Sequence, residues 1–239
     1  MTNTRNVTKF IAAMLAVGCG TAAYAGYASH TMHTTLALAI LALAAATSKM
    51  KVKLPGVDGN MSVNLPFLLT AAVTLSAVEA VVVALVSTAV QCWPRKDQTF
   101  KPQQMLFNLS MMTFAVSSAN LVFHAFGKGT LSPMAISLAA VALFLGQTAP
   151  VAGIVAASES KSAASTWWNV AQLSFPYYVA SAALSFMVQA ASLQLGWGLA
   201  LAVFPVMYGI HRSYKLYFSR MAESIQPERV IARAAGAGA

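Results

Sequence analysis

The stretch from Leu65 to Trp93 is what most constrains this chain. It is almost wholly apolar or small-residue sequence and holds a single carboxylate, Glu79. As one helix it would run roughly 44 Å at 1.5 Å per residue. The hydrocarbon core of a bilayer is only about 30 Å thick. Lys49, Lys51 and Lys53 precede the stretch, and Arg95, Lys96 and Lys101 follow it. Short basic loops mark the cytoplasmic side of a membrane protein, so both ends of the stretch belong on one side. The chain must then turn back. Divided near Ser76–Glu79 it gives two arms of about 20 Å each, too short to span alone. The pattern predicts a broken or re-entrant helical hairpin with its tip at Ser76-Ala77-Val78-Glu79. Irregular backbone at membrane depth is tolerated only where protein or a wet cavity surrounds it.

Composition supports this reading. The 239 residues are 58% hydrophobic and 9% charged, whereas soluble domains carry about 25% charged residues. Apolar regions recur at Lys9–Tyr27, Thr31–Ala46, Leu65–Trp93, Gln104–Phe126, Leu131–Ala157, Trp168–Leu193 and Leu195–Tyr217. With the third region reversing, fourteen of the fifteen Lys and Arg residues fall on one side, leaving only Lys128 on the other. The expected fold is an all-α polytopic membrane protein. About six transmembrane helices, within residues 1–217, enclose the 65–93 hairpin, and residues 218–239 form a cytoplasmic tail. The expected location is the bacterial inner membrane, with both termini cytoplasmic. The net charge of +9 is spread through loop clusters, so it speaks for topology and anionic headgroups rather than nucleic acid.

The N-terminus also carries features of a signal peptide: basic Arg5 and Lys9, an apolar run, and Ala23-Tyr24-Ala25 as a small-x-small site. Small residues continue to Gly26 and a second apolar run follows, so a retained first helix is expected. Cys19 and Cys92 lack metal-ligand spacing and read as free thiols. Lys51 to Asn64 alternates weakly around Pro55-Gly56 and Asp58-Gly59, fitting a short hairpin or extended loop.

An ionisable group inside apolar sequence is expensive and is a functional-site hypothesis by default. Glu79 therefore reads either as a ligand or proton site at the hairpin tip or as a structural carboxyl. Region four is the most polar, with Asn108, Ser110, Ser117, Ser118, Asn120 and His124. Asn120 and His124 are spaced i, i+4 and share a helix face. Glu79, Asn120 and His124 are the candidate ligand-binding residues, lining one pocket in the outer half. The other reading of the same residues is interhelical hydrogen bonding. His30 and His33 lack a local carboxylate or thiol to complete a metal site. Gln147, Gln172 and Gln189 are expected to bond between helices. Trp167, Trp168, Tyr177, Tyr178, Trp197 and Tyr208 are expected in interface belts, and Gly18-Cys19-Gly20 in close helix packing. No phosphate-cradling glycine loop, nucleophile elbow or metalloprotease motif is present. No enzyme activity, cofactor or metal is expected.

Met61-Ser-Val-Asn-Leu-Pro-Phe-Leu-Leu, Gln91-Cys-Trp-Pro-Arg, Gln104-Met-Leu-Phe-Asn-Leu-Ser and the tail from His211 to Glu223 resemble MASE-like membrane sensor modules. Such modules precede diguanylate cyclase or HD-GYP phosphodiesterase domains in bacterial signalling proteins. The resemblance implies a membrane sensor whose last helix passes a signal to a cytoplasmic output. The chain holds neither Gly-Gly-Asp-Glu-Phe nor the His-Asp and Gly-Tyr-Pro motifs, so the cyclic-dinucleotide chemistry does not carry over. The expected function is a stand-alone sensor or receptor-like module. It would bind a small or lipid-soluble ligand and signal to a cytoplasmic partner through its tail. The alternative is a small-solute transporter, or its substrate-binding subunit with an energising partner.

Overall fold

A computed structural model describes residues 2–28, 32–53, 60–94, 99–127, 132–159 and 161–195, with seven helical positions beyond them between Pro205 and Arg220. The described residues form seven helices: α1 (Thr2–Ala28), α2 (Thr34–Ser48), α3 (Leu65–Thr74), α4 (Ala77–Cys92), α5 (Pro102–Gly127), α6 (Pro133–Glu159) and α7 (Ala163–Leu195). Prolines start several of them. Pro102 and Pro133 open α5 and α6, and Pro66 lies in the first turn of α3, where a missing N–H costs nothing. Ser132 supports the start of α6, its Oγ accepting from the Ala135 N–H at 3.3 Å.

Between α2 and α3 the chain makes a small hairpin. β1 (Lys51–Lys53) pairs antiparallel with β2 (Asn60–Ser62), Val52 opposite Met61. The turns expected at Pro55-Gly56 and Asp58-Gly59 lie outside the described residues. Val63 N–H donates to Met50 O at 3.2 Å, and Asn64 Nδ2 donates to Ser48 Oγ at 3.2 Å. These bonds sew the end of α2 to the start of α3.

The 65–93 stretch is two helices, as its length demanded. Leu75 (φ −103°, ψ 164°) and Ser76 (φ −61°, ψ 158°) are both extended. Two extended residues in succession end the i→i−4 ladder. The arms have 10 and 16 residues rather than equal halves. The break sits at Leu75–Ser76, and Glu79 belongs to the first turn of α4. The chain reverses there, as α2 reveals. The last residue of α2, Ser48, is bonded to Asn64 at the base of α3. The residue that opens α2, His33, is bonded to Glu79 at the start of α4. α4 packs along α2 from that shared end, so α3 climbs and α4 descends.

α5 is the axis of the bundle, packed against α1, α3, α4 and α6. Glycines bring its neighbours close. A Cβ on Gly18 of α1 would lie 2.8 Å from Ser110 Cα, and one on Gly146 of α6 would lie 2.8 Å from Ala115 Cα. Gly20, expected in the same packing, faces open space. Leu68, Leu69, Leu75, Val83, Val116, Ile136 and Leu143 fill the core around this axis.

Among the described residues, three helices are long and apolar enough to cross a membrane: Arg5–Ala28, Pro102–Gly127 and Pro133–Glu159. Helices α2, α3 and α4 are apolar but hold only 10 to 16 residues. The seventh apolar region is described at Pro205, Val206, Gly209, Arg212, Ser213 and Leu216, all helical and exposed. Most of the expected tail, with Trp197 and Tyr208, lies outside the described residues.

The belt expectation needs correction at two positions. Tyr177 and Tyr178 are buried in the core, because α7 turns that face onto α6. Tyr178 OH donates to Gln147 Oε1 at 2.5 Å, and its ring stands edge-on to Phe144. Trp167 Nε1 donates to Thr148 Oγ1 at 3.1 Å, while Trp168 is exposed. Gln172 is exposed as well, facing away from the helices it was expected to bond.

Candidate functional site: the break between helices α3 and α4

Breaking a helix frees carbonyls at one end and N–H groups at the next start. Inside an apolar bundle each needs a partner. At this break most partners are side chains, and they come from α4, α5 and α7.

On the N-terminal side of α4, Ser76 and Glu79 form a capping box. Glu79 N–H donates to Ser76 Oγ at 3.4 Å, and Ser76 N–H donates to Glu79 Oε2 at 3.1 Å. Ser76 Oγ–H also donates to Oε2, at 2.7 Å. The other carboxylate oxygen, Oε1, accepts from the His33 backbone N–H at 2.6 Å. His33 is the N-cap of α2 and makes no side-chain cap of its own. One carboxylate therefore serves the N-termini of two helices. Both present partial positive charge, which favours an anion there. That explains a carboxylate left only 8% exposed with no salt bridge among the described residues. Its link to His33 sets it level with the α1–α2 turn, at one end of the bundle.

On the C-terminal side of α3, Leu75 N–H closes the last turn onto Ala71 O at 3.0 Å. Ala72 O and Leu75 O accept from Asn120 Nδ2 of α5 at 2.8 and 3.2 Å. Val73 O accepts from Gln189 Nε2 of α7 at 3.2 Å. One turn lower, Thr70 Oγ1 donates to Ser185 Oγ at 3.1 Å, and Ser185 Oγ donates onward to Pro66 O at 3.2 Å.

Two of the three candidate residues thus meet at one peptide group. The Leu75–Ser76 peptide gives its N–H to Glu79 and its C=O to Asn120. His124, one turn beyond Asn120, is exposed, its ring edge-on to Phe123 at 5.5 Å. It stands apart from the hydrogen-bonded set. Asn108, at the other end of α5, donates to Cys92 Sγ at 3.3 Å. Cys19 and Cys92 are free thiols. Among the described residues no cluster of His, Cys, Asp and Glu could hold a metal ion. Sequence reasoning missed the capping role, which the spacing of Ser76 and Glu79 carries. It also missed Gln189 as part of this site; nothing in the sequence says which carbonyl that amide meets.

The described residues form a seven-helix bundle built on a broken helix, whose ends are capped by its own Ser76 and Glu79 and by polar side chains of α5 and α7. No protein-family model, curated protein or solved structure matches the chain.

Proposed function

We propose that the chain is a stand-alone sensor module of the bacterial inner membrane. In this reading α1, α2, α5, α6, α7 and the apolar region 195–217 cross the bilayer around the α3–α4 hairpin. Both termini are cytoplasmic. A small or lipid-soluble ligand engages the break by competing for the hydrogen bonds of Glu79 and Asn120, with His124 as an outer contact. The resulting shift reaches a partner protein through the tail, residues 218–239.

One observation carries the reading. A single backbone peptide, Leu75–Ser76, depends on two side chains from different helices for both of its polar groups. A ligand that offers a donor or an acceptor there changes what holds α3 and α4 together, and differential contact of that kind is what a ligand needs to shift a conformational balance. The resemblance to MASE-like modules points the same way.

The test is a fusion. A diguanylate cyclase domain joined after Ala239 gives the tail a measurable output. Glu79→Gln and Asn120→Ala should each change cyclic-dinucleotide production at least threefold, at equal amounts of protein in the membrane. Equal output from all three proteins would refute the sensor reading. The second reading, a small-solute transporter or its substrate-binding subunit, is favoured by the two half-helix ends at the break, a feature of transporter binding sites. Ion- or ATP-driven solute uptake by proteoliposomes would place it first.

A further inference from the structure

We propose that α7 is the element that reads the state of the break, through a releasable clamp made by Gln189 on the broken end of α3. This rests on the sensor reading and names its internal route. Two carboxamides cap that end, and they differ. Asn120 reaches two carbonyls, Ala72 O and Leu75 O, from the bundle's axial helix. Gln189 reaches one, Val73 O, and its own Oε1 is closed off from solvent with no donor among the described residues. A buried acceptor left without a donor costs as much as, or more than, a neutral hydrogen bond returns. The Gln189 clamp is therefore close to balance between held and released, as a two-state element must be.

The rest of α7 suits that role. It packs chiefly against α6 and α3. Its N-terminal part is pinned to α6, where Trp167, Phe175 and Tyr178 surround Phe144 and two side-chain bonds reach Gln147 and Thr148. Pro176 lies within the helix and removes one backbone bond, giving a flexing point. On either side of it Ser174 and Ser181 bond back to Val170 O and Tyr177 O of their own helix. The ties to α3 are left to Ser185 and Gln189. Past Tyr178, which is still bonded to Gln147 of α6, the C-terminal part of α7 can thus pivot off α3 while its base stays fixed, and it leads directly into residues 196–239.

Hydrogen exchange by mass spectrometry on the full chain in lipid nanodiscs tests this. Glu79→Gln, which loosens the break without touching α7, should speed exchange in the 185–195 segment at least fivefold. In the Gln189→Leu background, where the clamp is already gone, the same change should add less than twofold. A second variant guards against misfolding. Thr70→Cys/Ser185→Cys, made with Cys19→Ala and Cys92→Ser and oxidised with copper phenanthroline, ties α7 to α3. It should suppress the effect of Glu79→Gln until reduced. Unchanged exchange in 185–195 on Glu79→Gln, or a rise that persists in the oxidised protein, would overturn the assignment of α7. The cyclase fusion, read separately, decides whether the sensor reading falls with it.

Discussion

Glu79→Gln offers the most direct energetic test of the break. The substitution keeps shape and replaces one carboxylate oxygen by an NH2 group. If the remaining oxygen stays with Ser76, the new amide faces the His33 N–H, donor against donor. Leaving that N–H unpaired costs about 1–3 kcal/mol. The lost negative charge also served two helix N-termini, each worth about 0.3–1 kcal/mol. Together the loss is about 1.6–5 kcal/mol, a roughly 15- to 4,000-fold fall in the folding equilibrium at 1.4 kcal/mol per tenfold. Reversible unfolding in mixed micelles by added dodecyl sulfate, followed by circular dichroism, measures it. Glu159→Gln is the control, because its pair with Lys161 is exposed at 40% and 65% and such pairs contribute about 0–1 kcal/mol. If Glu79→Gln unfolds within about 0.5 kcal/mol of the parent, below the cost of the unpaired N–H alone, the carboxylate is not holding two helix starts.

Other expectations follow from the same contacts. Asn120→Leu strips the donors from Ala72 O and Leu75 O and should cost about 2 kcal/mol, with faster hydrogen exchange confined first to residues 71–80. Gly146→Leu drives a side chain into the Ala115 backbone; a loss of about 1–3 kcal/mol or of folded protein on size-exclusion chromatography is expected. Gly20→Ala, which meets nothing within 4 Å, should be neutral or stabilising by up to about 1 kcal/mol in the same unfolding assay. Tyr178→Phe leaves Gln147 Oε1 without its donor and should destabilise by about 1–3 kcal/mol, by the same measurement.

The break was legible because length and charge placement speak to it directly: a single rod through 65–93 was too long and would have scattered its basic flanks. Its position was legible to within a few residues, since Ser76 and Glu79 carry both the polarity and the spacing of a helix start. What holds the break was less legible. A charge in apolar sequence raises the question of its partner, and the natural search is for another side chain. The partner is the His33 backbone N–H, 46 residues away, and backbone groups leave no trace in sequence. Asn120 was visible as a polar residue on the right helix. Its use became definable only once the carbonyls of Ala72 and Leu75 were known to be free. Tyr177 and Tyr178 misled because aromatic residues suit an interface and a core equally well; they lie midway along α7, and only the rotation of that helix decides between the two.

The glycine contacts on either side of α5 fix which parts can move. Approached closely at Ser110 by α1 and at Ala115 by α6, this helix has little room to roll or tilt against them. Asn120 is therefore mounted on a stationary post. Any rearrangement at the break must be made by the lighter pieces around that post, and its amide becomes the fixed mark against which their displacement is measured.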